Sequence, residues 1–275
     1  MASTTKILTA ILIIDECDLD EEIAIPKEAE GTEGSSVYLR AGDIFTVRDL
    51  LYGLMLRSGN DCAVTLALHH SGSIAAFAAA MNAKAVSLGA EHSSFVNPHG
   101  LPDERHFTTA RDLALITAYA MENETFREIV SCKFYAPRGW QNKNKMLFEY
   151  EGADGVKTGY TVRAGRCLVT SAERAGMRLV CVVLDSPEMY ERTTELLDEA
   201  FGKYALVKLC SRDEPFEGYE IKEDFSYPLT EEERGKITVQ GISVMPHPET
   251  KGDFAGQMLI YLENDLIFSQ NLYII

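Results

Sequence analysis

The sequence predicts an α+β fold, with helices around a mostly antiparallel sheet, followed by a small all-β domain. Three features predict it. Apolar residues recur at helical spacing through the first part of the chain. Short apolar runs separated by glycine-containing turns follow Lys133, and strand-like stretches continue from about Cys210 to the end. With 275 residues the chain can bury a full core and divide into two domains, placed at 1–209 and 210–275.

Residues 7–14 have one polar interruption, Thr9, and read as a buried helix too short to span a bilayer. Thr46-Val47-Arg48-Asp49 resembles a capping box with Asp in place of Glu, and Val47, Leu50, Leu51, Leu54 and Met55 form one apolar stripe behind it. Ser58-Gly59 ends that helix, and Asn60-Asp61 are expected to cap the next, which runs to about His70. An alanine-rich helix over 74–88 stops at Gly89. Another opens at Thr109-Ala110-Arg111-Asp112, with Leu113, Ile116, Thr117 and Ala120 on one face. Strands are expected over 155–161, 166–172 and 177–184, then an amphipathic helix over about 188–204. The tail adds strands over 218–221, 237–244, 258–262 and 266–272, the last two joined by a hairpin loop at Glu263-Asn264-Asp265.

Acidic residues outnumber basic ones 42 to 26, for a net charge of −16. Such a field repels nucleic acid and anionic lipid, which excludes both as main partners. No stretch approaches the roughly 20 apolar residues of a transmembrane segment. No basic region and cleavage site mark a signal peptide. Cys17, Cys62, Cys132, Cys167, Cys181 and Cys210 form no C-x-x-C pair and are expected to be free, mostly buried thiols. Cys167 and Cys181 flank a hairpin turn at 174–176, and whether they face each other depends on the parity of that loop. His69, His70, His92, His99, His106 and His247 lack ligand spacing, so no metal or other cofactor is expected.

Three motifs carry chemistry. Ser3 and Lys6 stand at i and i+3 on one face of a helix, close enough to exchange a proton, with Ser3 at the positive end of the helix dipole. Taken alone, the pair reads as readily as a cap and a solvent lysine. Ser58-Gly59-Asn60 occupies a helix junction and offers a hydroxyl to relay a proton and an amide to hold a peptide group. Lys157-Thr158-Gly159 lies in an expected strand, where a glycine makes sense if a ligand must approach the backbone. Ser-x-x-Lys, Ser-Asp-Asn and Lys-Thr-Gly are the signature set of penicillin-binding proteins and class A β-lactamases, and the three elements appear here in that order, with Ser58-Gly59-Asn60 as the second.

Beyond these motifs, "ASTTKILTA", "LRAGDIFTVRDLLYGLMLRSGNDCAVTLA", "FVNPHGL", "TTARDLALI" and "GVKTGYTVRAGRCLVTSA" resemble the low-molecular-mass penicillin-binding proteins, the serine D-alanyl-D-alanine carboxypeptidases of bacterial cell walls. The resemblance runs from Ala2 to about Tyr204, and the β-rich tail resembles their smaller second domain. It implies a transpeptidase/β-lactamase-like catalytic domain acting outside the cytoplasm on peptidoglycan stem peptides that end in D-Ala-D-Ala, and acylated by β-lactam antibiotics. Ser3 is then the nucleophile and Lys6 its base. Ser58 passes a proton to the leaving amine, and Asn60 holds the substrate amide and helps place Lys6. Lys157 and Thr158 bind the terminal carboxylate, Gly159 leaves room for the substrate strand, and the N–H groups of Ser3 and Tyr160 form the oxyanion hole.

The resemblance also implies at least one strand ahead of the Ser-x-x-Lys helix. The chain therefore reads as N-terminally truncated, with a bare sheet edge and reduced activity expected. Two alternatives stand. A class A-like β-lactamase needs a glutamate to activate water, and only Glu104 in the Asn97-to-Asp112 region is on offer, poorly placed. A non-catalytic peptidoglycan-binding protein is the other, prompted by the missing strand.

Overall fold

The structure, a computed structural model, describes residues 1–245 and 250–275; His247 lies outside the described residues. They divide into two units, Met1–Glu173 with Arg178–Leu197, and Arg174–Met177 with Asp198–Ile275.

The first unit is organised by one helix. A 3-10 turn, Ala2–Thr5, runs directly into α1 (Lys6–Glu16), and every α1 residue from Lys6 to Ile13 is buried. A helix that is apolar all round needs neighbours all round. After a small antiparallel pair, β1 (Glu22–Ala24) and β2 (Ile44–Thr46), come α2 (Val47–Leu56), α3 (Asn60–Ser71), α4 (Ile74–Ser87), α5 (Ala110–Glu122) and α6 (Glu124–Ser131), and all five of these helices touch α1. Ile7, Leu8, Ile11 and Ile13 are fully sealed in the shared core, each contributing about 1.5–3 kcal/mol.

At α2 and α5 the threonine caps the helix as expected, but the Asp49 carboxylate accepts from Tyr135 and Arg138 instead of closing the expected capping box. Thr46 accepts from the Asp49 N–H, and Thr109 from the Asp112 N–H. Asn60-Asp61 corrects the expectation: Gly59 is the cap residue, the Asn60 side chain faces elsewhere, and Asp61 reaches the first turn of α3 only through the Cys62 N–H at 3.0 Å. The Asp61 carboxylate, 1% exposed, accepts from Ser36 Oγ at 2.5 Å, Val37 N at 3.1 Å and Leu39 N at 3.1 Å. Main-chain donors in the 36–39 loop have no helical partner of their own, and the carboxylate serves them as well as the Cys62 N–H in the first turn of α3.

A second small pair, β3 (Phe134–Tyr135) and β4 (Trp140–Gln141), and α7 (Met146–Glu149) lead to the main sheet. Its order is β5 (Ala153–Thr161), β6 (Gly165–Arg174), β7 (Met177–Val183), followed by α8 (Met189–Lys203). In the β5–β6 register Thr158 faces Leu168 and Tyr160 faces Arg166. Strand alternation therefore sets Thr158, Tyr160 and Arg166 on one sheet face, with Lys157 and Gly159 on the other. Ala175 and Gly176, at φ 50° and 78°, make the turn between β6 and β7. Cys167 and Cys181 are both free and buried.

The second unit contains β8 (Ala205–Cys210), β9 (Tyr219–Glu220), β10 (Phe225–Leu229), α9 (Glu231–Arg234), β11 (Ile237–Ser243), β12 (Phe254–Leu262) and β13 (Asp265–Ile274). β8 pairs with β10, and the other strands form a sheet in the order β11-β12-β13-β9 over Ile221, Met258, Ile260 and Leu272. Leu262 pairs directly with Asp265, so the expected three-residue loop tightens to Glu263-Asn264. The β8–β10 pair was not expected: β8 follows α8 after one residue, with no turn signal, and Pro228 disguises β10. Among the described residues no single helix is long and apolar enough to cross a membrane.

Replacing Asp61 with Ala strips the 36–39 loop of its acceptor and removes the carboxylate that serves three main-chain N–H groups, those of Val37, Leu39 and Cys62. A loss of about 2–4 kcal/mol in urea unfolding is expected; an unchanged midpoint would show that the loop is held by other contacts.

Candidate active site

Ser3 and Lys6 come together as their spacing requires. Lys6 Nζ lies 3.0 Å from Ser3 Oγ. It also lies 2.7 Å from Asn60 Oδ1 and 2.7 Å from the His99 carbonyl oxygen. Three elements thus hold one amine: the turn before α1, the start of α3, and the 97–101 loop. The loop is shaped by Asn97, whose Oδ1 accepts from the His99 and Gly100 N–H groups and whose Nδ2 donates to the Leu101 carbonyl. Thr9 Oγ1 ties it to α1 by donating to the Pro98 carbonyl at 2.7 Å.

Lys6 is fully buried. Burial, and after it the charge of Lys157, lowers its pKa well below the ordinary lysine value. Its three contacts are neutral oxygens, which suit an uncharged amine as well as an ammonium. In the uncharged form the two N–H groups serve Asn60 Oδ1 and the His99 carbonyl, and the lone pair faces the Ser3 hydroxyl. That is the geometry of a general base.

The Ser3 hydroxyl opens on a cavity of about 360 Å³ lined by Ser3, Ser58, Thr158, Gly159 and Tyr160 of the expected set. Lys6, Asn60 and Lys157 are not among the lining residues, and all three are buried. Asn60 uses Oδ1 on Lys6 and Nδ2 on the Glu33 carbonyl, at 2.6 Å, and its own N–H donates to the Ser35 carbonyl at 2.7 Å. Lys157 is 2% exposed and donates to the Thr158 carbonyl at 3.0 Å. Burial first, and then the Lys143 charge, bring its pKa down to about 7. Ser58 holds a left-handed backbone at φ 65°, an unusual conformation for serine of the kind that collects at functional sites.

Ser35, Lys143, Arg166, Met189 and Tyr190 complete the lining and were not singled out from the sequence. No Asp or Glu lines this cavity. Glu104 lines a different one, beside His106 and Phe107.

The nucleophile turn is clamped by main chain. A Cβ on Gly100, at φ 91°, would meet the Ala2 carbonyl oxygen at 1.9 Å. A Cβ on Gly159 would meet the Ser3 nitrogen at 3.0 Å and the Met1 carbonyl oxygen at 3.1 Å. Gly159 therefore fits against the nucleophile turn itself, beyond the expected role of leaving room for substrate. Thr5 Oγ1 donates to the Ala2 carbonyl at 2.9 Å and meets His106 Nε2 at 2.8 Å. His106 Nδ1 accepts from the Val96 N–H, so Nε2 carries the proton of the neutral ring. Burial lowers the His106 pKa to about 4, which keeps the ring neutral.

The chain matches the peptidase S11 family, D-alanyl-D-alanine carboxypeptidase, over residues 1–188. It is 34% identical over 240 residues to the D-alanyl-D-alanine carboxypeptidase DacF of Bacillus subtilis, covering 80% of this chain and 61% of that relative. It therefore spans less than two thirds of that relative's length. It is 37% identical over 217 residues to the D-alanyl-D-alanine carboxypeptidase of a Streptomyces species, covering 70% of this chain and 75% of that one. Among solved structures, penicillin binding protein 5 from Haemophilus influenzae superposes with a TM-score of 0.78 at 26% identity, over 99% of this chain and 89% of that one. A serine–lysine pair in this fold, on a chain matched over this length, has one family reading: the chain belongs to the D-alanyl-D-alanine carboxypeptidase family.

Proposed function

We propose that the chain is a serine D-alanyl-D-alanine carboxypeptidase that removes the terminal D-alanine from peptidoglycan stem peptides at the cell envelope, with residues 1–209 as its catalytic domain and 210–275 as a smaller β-rich one. The observation that carries this reading is the Ser3 hydroxyl at 3.0 Å from a sealed Lys6 amine, opening on a cavity walled by Thr158 and Gly159. Ser3 Oγ attacks the carbonyl between the two terminal D-alanines as its proton moves to Lys6 Nζ. The N–H groups of Ser3 and Tyr160 receive the oxyanion, worth about 3–4 kcal/mol for such a donor. Collapse breaks the C–N bond and the departing D-alanine amine takes a proton, delivered through Ser58. Water then attacks the ester, with Lys6 again accepting a proton. Asn60, its amide committed at both ends, serves as the holder of Lys6. β-Lactams enter the same first step and leave Ser3 acylated. The absence of a lining glutamate favours this reading over the β-lactamase.

Ser3→Ala is expected to abolish labelling by a fluorescent penicillin while leaving the melting temperature within about 2 °C, since Ser3 is only half-buried. Labelling that persists would remove Ser3 from the mechanism.

The buried lysines predict two pH effects. Acylation needs Lys6 uncharged, so the rate of penicillin labelling should fall as pH drops and Lys6 takes up a proton. Lys157 acts on stability. Its folded pKa of about 7 lies below the ordinary 10.5, so between these values the unfolded chain binds a proton that the folded chain does not. Stability then rises with pH across that window. Lys157→Met should melt about 5 °C higher than the parent at pH 7, with the gap narrowing towards pH 10.5. A gap independent of pH would refute the buried-charge account.

A further inference from the structure

We propose that Thr5 and His106, neither of which lines the cavity that Ser3 opens on, are positioning residues for the oxyanion donor; the inference rests on the carboxypeptidase reading above. The peptide group between Ala2 and Ser3 is one plane, with the Ala2 carbonyl on one edge and the Ser3 N–H on the opposite edge. Whatever holds the carbonyl therefore aims the N–H. The buried Thr5 hydroxyl donates to that carbonyl at 2.9 Å and is itself met by His106 Nε2 at 2.8 Å. The ring is fixed at its other nitrogen, where Nδ1 accepts from the Val96 N–H at 3.1 Å. Behind it, Ser94 and Phe107 exchange main-chain hydrogen bonds at 2.8 and 3.0 Å. Asn82 of α4 holds the N–H of Phe95 at 2.9 Å and its carbonyl at 2.8 Å. A line of hydrogen bonds thus runs from α4 to the nucleophile turn.

The turn needs such a hold. Ala2 has φ 48°, a left-handed conformation that costs an alanine energy unless its surroundings enforce it. Packing against Gly100 limits where the Ala2 carbonyl can go, but a hydrogen bond sets where it points. The direction of the relay is fixed as well. With Nδ1 accepting, the neutral ring donates from Nε2, so the Thr5 oxygen receives and its own proton goes to the Ala2 carbonyl. Burial holds the His106 pKa at about 4, and the relay keeps one polarity over the working range of pH. Hydrogen bonds in a chain polarise one another. An Ala2 carbonyl that accepts from Thr5 makes the N–H of the same amide, that of Ser3, a stronger donor. Thr5 and His106 thereby act on the reacting carbonyl without touching it.

Acylation and hydrolysis both pass through an oxyanion, so the relay should act on both chemical steps and leave binding alone. Thr5→Val keeps the shape and removes the donor. It is expected to lower kcat for release of D-alanine from Nα,Nε-diacetyl-L-Lys-D-Ala-D-Ala by about 10- to 100-fold, with KM within about threefold of the parent. Fluorescent-penicillin labelling should slow by a similar factor with its pH midpoint unmoved, since Lys6 is untouched. In infrared difference spectra the ester carbonyl band of the penicilloyl enzyme should move to higher wavenumber. Thr5→Ser restores the hydroxyl and should recover most of the rate. At position 106 the two nitrogens can be separated. His106→Gln puts an amide donor near the place of Nε2 and should be faster than His106→Asn, which replaces Nδ1 alone. Added to Thr5→Val, His106→Asn should cost nothing more, because it acts through Thr5. The inference is overturned by a kcat in Thr5→Val within about threefold of the parent, an ester band that stays in place, or losses that add in full. Each of these leaves the enzyme a penicillin-labelled carboxypeptidase. Should Thr5→Val fail to fold, the order at position 106 decides: Asn as fast as Gln overturns the inference. Failure of the unaltered chain both to bind penicillin and to cleave the peptide overturns the carboxypeptidase reading and this inference with it.

Discussion

Sealing the Lys6 amine away from water disfavours its charged form, and the arrangement around the site follows from keeping that amine dry and aimed at Ser3. Dryness requires that the helix bearing it be wrapped on every side, which accounts for an α1 that is buried through Ile13 and touched by α2 to α6. Aim requires neutral acceptors in fixed positions. Asn60 and the His99 carbonyl supply them, and each is itself locked: Asn60 by the Glu33 carbonyl, His99 by the Asn97 side chain. A carboxylate in either place would stabilise the ammonium over the uncharged amine. Asp61, one residue beyond Asn60, spends its charge on the Ser36, Val37 and Leu39 donors instead.

Charge is distributed in two tiers. The lower tier, Lys6 and Lys157, is buried, and both lysines have lowered pKa values, so their charges respond to one another and to pH. The upper tier, Lys143 and Arg166, lines the cavity and meets solvent. The Lys143 charge lowers the pKa of both buried lysines, which links the tiers through the field as well as through geometry. Since acid dominates the rest of the chain, the cavity stands out as a local concentration of positive charge.

What the sequence made legible is what depends on spacing within one element. The i, i+3 step joins Ser3 to Lys6, and threonine followed by aspartate three residues on marks the starts of α2 and α5. What it concealed depends on partners far along the chain. Asn60 and Asp61 look like caps because nothing local shows that Lys6 and the 36–39 loop will claim their side chains. The His99 carbonyl is main chain and leaves no side-chain signal at all. Arg166 is the instructive case. Period-two alternation, available in the sequence, already puts Lys157 on the opposite face from Thr158 and Tyr160; which arginine joins the Thr158 face follows only from the β5–β6 register.

Two glycines constrain the turn that bears Ser3. Ala2 has a left-handed backbone at φ 48°, a conformation that an alanine does not hold without support. Gly100 presses on its carbonyl from one direction, at a distance that excludes a single added carbon, and Gly159 on the Ser3 nitrogen from another, where an added carbon would be tighter than ordinary contact. Thr5, fixed by a neutral His106, holds the same Ala2 carbonyl by hydrogen bond. The Ser3 N–H, a proposed oxyanion donor, is therefore positioned before any substrate arrives. That is the condition under which a main-chain dipole stabilises a transition state without the cost of reorganising.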